Sequence, residues 1–423
     1  MAIPRRPTKL GPYDVIAKIA SGGMAHVYLG RGTDLVGDGR LAAIKIMRHD
    51  FGGDEQALHM FLDEARLLSR LSHPNIIQTL EFGTTDEHPF IAMELLLGRT
   101  VLDVWEACVA EQMALRFDLA AYVAARVAEA LDYAHLLTDE LGTPLHLIHR
   151  DVNPSNIFLT FDGKVKLFDF GLAKAKLRRT KSHAGIVKGK LPYLSPEQVM
   201  ELPLDRRSDV YTLGTTLWEM ATMRRLFKRG TDIDTVRAVR SAAIPRPETL
   251  VEGFPEPLSD IIIRSLERNR EHRYQSAQEF ADALDDFIAR SGSGDPSTLI
   301  PATLDRLFPG ERARQMGWLK SAVAPNAALM RATLTPPIPI PIQSSVAPLS
   351  RIPESGGPRS TPTGPLSAPP LTPRSLRDGP LSTPLSFPLS TPPLTPRAPD
   401  TSEESGGAAS APELPPLPPK IRK

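Results

Sequence analysis

At 423 residues the chain has room for more than one domain of about 100–200 residues each. A net charge of +1 argues against nucleic acid as the main partner, since that usually shows as a strong basic bias. The single cysteine, Cys108, excludes an internal disulfide and a cysteine metal cluster, and its apolar surroundings mark it for packing in a helix.

In chain order, the first residues (MAIPRRPTKLGPYD) carry charge without an apolar core, so no signal peptide is expected. No segment reaches the ~20 consecutive apolar residues of a membrane helix, and a cytoplasmic location is expected. Residues 13–29 (YDVIAKIASGGMAHVYL) read as strand, turn, strand, with Ser21, Gly22 and Gly23 in the turn. Glycine there lets backbone amides approach phosphate oxygens with no Cβ between, although an ordinary hairpin has the same residues. Residues 41–47 (LAAIKIM) form an apolar strand with Lys45 in its middle. Such a lysine either faces water from an edge strand or has a partner. Leu58, Phe61, Leu62, Ala65, Leu68 and Leu71 recur at helical spacing, with Asp63 and Glu64 one turn before Leu68. An apolar strand is expected over 89–97 and an alanine- and leucine-rich helix over 117–136, with a polar surface loop at 138–143.

Residues 147–171 (LIHRDVNPSNIFLTFDGKVKLFDFG) carry the chemistry. Ile157, Phe158 and Leu159, then Val165, Leu167 and Phe168, flank an Asp162-Gly163 turn and read as a hairpin. Asp151 and Asn156 lie just ahead of it and Asp169 just beyond, all near one end. These are hard oxygen ligands for Mg²⁺ on a nucleotide, with a carboxylate left to accept a proton. Residues 172–190 are rich in Lys, Arg, Ser, Thr, His and Gly, the composition of a mobile surface segment. Residues 291–295 (SGSGD) mark a break, after which helical periodicity persists over 298–330 around Leu304, Leu307, Trp318 and Leu319. From about Leu334 the chain is Pro/Ser/Thr-rich. Residues 331–423 hold more than half of the 42 prolines and only one aromatic, Phe387, so they cannot bury a core.

These motifs, in this order, resemble those of the protein kinases. His149-Arg150-Asp151 with Asn156 five positions on is similar to their catalytic loop, Asp169-Phe170-Gly171 to their metal-binding DFG, and Lys45 to the lysine of V-A-I-K. Ser195-Pro196-Glu197 stands where that family has A-P-E. The local wording (SGGMA, HRDVNPSN, GKLPYLSPEQ) resembles bacterial eukaryotic-like, or Hanks-type, serine/threonine kinases of myxobacteria and their relatives. The likeness runs over residues 11–290. It implies an α+β bilobal fold, with a small β-rich N-lobe over about 11–97 and a large helical C-lobe over about 98–290. A short helical extension over 291–333 and a disordered Pro-rich tail over 334–423 would follow.

The resemblance also implies roles. Asp151 would accept or orient the proton of the substrate hydroxyl, and Asn156 and Asp169 would hold Mg²⁺, or Mn²⁺ in its place. Lys45 would grip the α- and β-phosphates and pair with Glu64, while Asp63 is solvated. Ile19, Ala20, Ser21, Gly22, Gly23, Val27, Ala43 and Phe158 would surround ATP. Met93 would be the gatekeeper, with the Glu94 carbonyl and Leu96 amide facing adenine. Glu197 would pair with a buried arginine, for which Arg273 is the best candidate, and Asp209 in DRRSDVYTLGTTLWEM would brace the catalytic loop. Thr180 and Ser182 would be activation-loop phosphosites, with Arg150 as the cationic partner.

Two departures touch the chemistry. The glycine pattern G-x-G-x-x-G-x-V keeps only its second member, Gly22, with Ala20 and Ala25 at the others. Asn153 stands where serine/threonine kinases carry a lysine that neutralises the γ-phosphate, and Lys190 stands where they carry a threonine. These positions are neighbours in the family's fold, so Lys190 is expected to replace the missing charge. The function expected is ATP-dependent phosphorylation of Ser and Thr on proteins, the chain itself included. The rival is a pseudokinase or scaffold that binds nucleotide and partners without turnover; a small-molecule phosphotransferase is a third reading. In the tail, six threonines precede proline and residues 414–419 (LPPLPP) suit an aromatic-lined docking groove, though a mere spacer would look alike.

Overall fold

The structure is a computed structural model, and it describes residues 8–21, 25–33, 39–47, 61–62, 65–84, 89–170, 190–241, 243–292 and 294–323. All of them fall in the first of two units, Met1–Leu349; the second, Ser350–Lys423, lies outside the described residues. The tail expectation, with its Thr-Pro sites, therefore also lies outside them.

Six antiparallel strands build the first lobe: β1 (Lys9–Leu10), β2 (Tyr13–Ser21), β3 (Ala25–Gly32), β4 (Leu41–Met47), β5 (Thr79–Thr84) and β6 (Pro89–Glu94), in the order β1-β2-β3-β4-β6-β5. Register decides which side chains share a face, because directly paired residues project together. Tyr28, Ile44 and Ala92 are in register and belong to a core with Leu10, Tyr13, Val15, Ala42, Ile46 and Phe90. On the opposite face, Val27 pairs with Lys45 and Lys45 with Ile91, while Ala43 pairs with Met93. Ile91 and Met93 pack there against Phe61 and Ala65, which belong to the helical residues 61–62 and 65–68, and against Ile77. Lys45 thus stands on an inner, helix-covered face of a central strand, which rules out an edge lysine facing water.

The apolar run over 89–97 is a strand only as far as Glu94, because pairing with β4 stops there. The chain then leaves the sheet as a hinge. Its end is caught when the Phe161 amide donates to the Leu97 carbonyl at 2.9 Å. Beyond it, β7 (Gly98–Thr100), β8 (Ile157–Thr160) and β9 (Val165–Leu167) form a small second sheet, with β8–β9 the expected hairpin.

The larger lobe is helical: α1 (Val101–Ala110), α2 (Phe117–His135), α3 (Pro196–Val199), α4 (Arg207–Thr222), α5 (Asp232–Ser241), α6 (Glu256–Ser265) and α7 (Ala277–Ser291). Its core is contiguous with β8 and β9 through Leu159, Val165 and Leu167. Alanines of α2, buried from Ala120 to Ala134, let neighbouring helices approach closely. Every residue of α4 from Ser208 to Thr222 is buried. Its threonines remain satisfied because Thr215, Thr216 and Thr222 donate to carbonyls one turn back at 2.8–3.1 Å. The periodic segment after residue 298 divides into α8 (Leu299–Leu307) and α9 (Glu311–Val323), because Pro309 and Gly310, the latter at φ 78°, break the helix. Ile300, Leu304 and Leu307 of α8 join the main core. Among the described residues no helix is long and apolar enough to cross a membrane.

Candidate active site

The loop before β8 and the segment after β9 each run through backbone that side chains disfavour. Arg150 sits at φ 65° and Asp169 at φ 58°, left-handed conformations costing on the order of 1–3 kcal/mol each. Asp209 holds the first of these. Fully buried at the start of α4, its carboxylate accepts from the His149 and Arg150 amides, both at 2.8 Å, and from His135 Nε2 at 2.8 Å. Burial alone would raise the Asp209 pKa, but the His135 hydrogen bond, reinforced by His149 and the Arg150 amide, outweighs it and holds the carboxyl below its ordinary value. His149 ties the loop to the second acidic segment. Its Nε2 donates to the Phe168 carbonyl at 3.2 Å while Nδ1 accepts from the Asp151 amide at 3.3 Å, which selects the Nε2–H tautomer. Phe170 is buried beneath it, with ring centroids 4.4 Å apart.

Charged groups converge on this platform. Lys190 Nζ lies 2.5 Å from Asp151 Oδ2, and Lys45 Nζ lies 2.6 Å from Asp169 Oδ1. Asn156 donates its amide nitrogen to the Asp151 carbonyl at 2.8 Å and to Oδ2 at 3.0 Å. Asn153 donates likewise to the Asp151 carbonyl at 2.8 Å and Oδ1 at 3.3 Å, and its own oxygen caps the turn Pro154–Asn156 by accepting from the Ser155 amide. Residue 153 is thus a fixed part of the loop, while the cation beside Asp151 comes from residue 190.

Of the other expected site residues, Ile19, Ala20 and Ser21 end β2 and Val27 lies on β3, opposite Lys45. Ala43 and Met93 are paired on the inner face, Glu94 ends β6, Leu96 is in the hinge, and Phe158 on β8 meets Phe168 edge-on at 6.4 Å. Gly22, Gly23, Glu64 and Asp63 lie outside the described residues, as do Thr180 and Ser182. Arg150 Nε is buried with no hydrogen-bond partner among the described residues.

Arg273 meets Glu197 in a two-pronged buried pair at 2.7 and 3.0 Å, and Ser208 also donates to Glu197 at 2.7 Å. Burial pushes the Glu197 pKa up, and the Arg273 guanidinium more than reverses this. Gln198, next along, donates to the Arg150 carbonyl at 2.9 Å and so joins this segment to the catalytic loop.

Three contributors escape the sequence motifs. His135 supports Asp209 from the end of α2; a histidine closing an otherwise apolar helix face was its only signal. Lys166 is buried on β9, where its ammonium donates to Glu94 Oε1 at 2.6 Å and to the Ile76 carbonyl at 3.3 Å. A lysine between two buried apolar residues, Val165 and Leu167, was the available hint. Glu219, buried in α4, accepts from Tyr193 at 2.7 Å and from Arg225 at 2.8 Å. Burial there, with the Glu219 charge, drives the Tyr193 pKa well above the ordinary value.

A two-lobed fold with this loop, paired lysines and paired acids is the architecture of a protein kinase. The model of the protein kinase domain family matches residues 13–284, and the chain belongs to that family. Tyrosine-protein kinase MasK of Myxococcus xanthus is 36% identical over 302 residues, covering 71% of this chain and 47% of MasK. A probable serine/threonine-protein kinase of Clostridium perfringens is 35% identical over 274 residues, 64% of this chain and 38% of that protein. The chain therefore spans less than half the length of either relative. The crystal structure of the Mycobacterium tuberculosis PknI kinase domain superposes with a TM-score of 0.50 at 25% identity, covering 66% of this chain and 97% of that one. The kinship is with bacterial kinases of the Hanks type.

Proposed function

We propose that the chain is an active kinase transferring the γ-phosphoryl group of Mg·ATP to serine or threonine hydroxyls of proteins, itself included. The observation that carries this is the pair of cations on the two acids: Lys190 at Asp151 and Lys45 at Asp169. Asp151 accepts the hydroxyl proton as the substrate oxygen bonds to the γ-phosphorus and the bond to ADP breaks. Lys190 stands where a γ-phosphate cation is needed, and Lys45 where the α- and β-phosphates lie. Asn153 holds Asp151 by its carbonyl, so the departure from lysine at this position is compensated in the same site.

The donor set fits a hard divalent cation. Asn156 commits its amide nitrogen to Asp151, which leaves its Oδ1, 3.5 Å from Ser155 Oγ, as the oxygen it offers a cation, and Asp169 adds a carboxylate. Asn156 and Asp169 would hold Mg²⁺ or Mn²⁺, which would supply neutralisation of phosphate charge. Val27, Ala43, Met93 and Phe158 supply apolar lining beside the 94–96 backbone, which suits adenine. By the kinase resemblance Glu64 would partner Lys45, and Gly22 and Gly23 would cover the phosphates. Arg150 receives a phosphate carried by Thr180 or Ser182. The catalytic unit is residues 11–290, with 291–333 as an extension and the segment from 334 as a cytoplasmic docking tail.

MasK's name favours a second reading, tyrosine as acceptor. Phosphoamino-acid analysis of the full chain labelled with γ-labelled ATP, alone and with a basic protein substrate, separates the two. Phosphoserine and phosphothreonine are expected. Phosphotyrosine alone overturns the Ser/Thr assignment, and an absence of label overturns turnover.

A further inference from the structure

We infer that α9 clamps the hinge and that Gln315 is a positioning residue for nucleotide binding. Gln315 Oε1 accepts from the Gly98 amide at 2.9 Å, and its Nε2 donates to the Gly98 carbonyl at 3.1 Å. A carboxamide offers acceptor and donor side by side, as a peptide unit does, so this side chain closes the edge of β7 as a further strand would. The other edge is already paired: Gly98 lies opposite Thr160, and a Cβ on it would sit 2.0 Å from the Leu159 carbonyl oxygen. Gly98 is therefore gripped between β8 and α9.

The grip is a built polar cluster. Gln315 is only 6% exposed and also donates to Glu311 Oε1 at 2.6 Å. Glu311 pairs with Arg99 at 3.1 Å and with Arg314 at 2.6 Å, and the Arg99 guanidinium lies 4.9 Å from the Phe308 ring. Its members Phe308, Glu311, Arg314 and Gln315 lie beyond residue 284, where the family match ends, and they return across 217 residues of chain to Gly98 and Arg99 at the hinge.

The hinge is then fixed at both ends. Above, the Glu94 amide donates to the Gln78 carbonyl at 2.9 Å and its carboxylate is held by Lys166. Below, Leu97 is held by Phe161 and Gly98 by Gln315. Between these fixings lie only Leu95 and Leu96, so the Glu94 carbonyl and the Leu96 amide, assigned to adenine under the proposed function on which this inference rests, stand within or at the edge of the held segment. Pre-ordering that backbone lowers the cost of binding the base. The clamp is a property of the nucleotide site supplied by the extension.

The test compares full-length wild type with Gln315→Met, which keeps the volume and removes both hydrogen bonds, and with Leu304→Ala, which loosens α8 without touching the hinge. Binding of ATP and of adenosine, and steady-state kinetics, are measured on each. Loss of affinity by about three- to tenfold is expected for Gln315→Met, the weight of one or two hydrogen bonds. It should be equal for ATP and adenosine, with kcat at saturating ATP within about twofold of wild type. Leu304→Ala should lower the melting temperature and leave both affinities unchanged. Should Gln315→Met not fold, Gln315→Asn, one methylene shorter, carries the same comparison. Unchanged nucleotide affinity, or a loss for ATP that adenosine does not share, would overturn the clamp. A wild type that binds neither ligand would instead remove the nucleotide-site reading beneath it.

Discussion

At the scale of single residues, the proposed function exchanges one cation for another. Lysine is missing two residues after Asp151, yet a lysine stands 2.5 Å from that carboxylate, delivered from residue 190. Lys190→Ala should lower kcat on the order of 10²-fold, the loss associated with one transition-state charge or donor, with little change in the KM for ATP. Adding Asn153→Lys should restore much of it. Steady-state kinetics on the single and double variants decide, and an unchanged kcat in Lys190→Ala would end the idea of a swap. The pairing of two anomalies, Asn153 and Lys190, on which the proposed swap rests was legible in the sequence. The role of Asn153 was not. That its amide would fasten to the Asp151 carbonyl depends on the local turn, which no residue pattern reports.

At the scale of elements, strands and helices followed from periodicity, and their failures are instructive. The strand over 89–97 was read too long because hydrophobicity marks burial, while strand pairing ends where the backbone departs for the hinge. Buried charges were legible only where a family motif flagged them: Glu197 and Arg273 were paired in advance, whereas Lys166 with Glu94 and Glu219 with Arg225 were not. The Glu197–Arg273 pair makes a sharp prediction. Arg273→Met leaves a buried, uncompensated carboxylate and should cost about 3–5 kcal/mol at pH 7. In the wild type the folded pKa of Glu197 lies below its unfolded value. Its contribution is therefore complete above the unfolded pKa and fades as pH falls through the folded one. In the variant, burial is opposed only by the Ser208 hydroxyl and a backbone hydrogen bond, so the folded pKa should rise and the damage should shrink as pH falls from 7 to 5. Urea unfolding at both pH values checks this, and a deficit that grows on acidification would contradict it. Glu197→Gln with Arg273→Met should cost less than Arg273→Met alone, because no charge is then stranded.

At the scale of the molecule, two lobes meet at a hinge whose lower end is held by a helix far along the chain. Composition marked a Pro-rich segment from about residue 334, which lies outside the described residues, and periodicity found the helices after residue 298, but neither could say that these helices return to Gly98. A 217-residue contact leaves no local trace. Ending the chain at residue 333 should leave the kcat and KM for a peptide substrate within about twofold of wild type, since every contact described here is kept. Ending it at 290 removes α8 and α9, and should weaken nucleotide binding at least as much as Gln315→Met. Equal nucleotide affinity for the two truncations would mean that the extension plays no part in the site.

The central claim is turnover on the Asp151 platform. Its most direct test incubates purified full-length protein with Mg²⁺ and γ-labelled ATP beside an Asp151→Asn control, with phosphosites mapped by mass spectrometry. Label in the wild type alone, on serine or threonine, is the expected result. Equal label in both proteins would show that the phosphoryl transfer does not use Asp151. No label in either, with Mg·ATP still bound, would make the chain a nucleotide-binding scaffold.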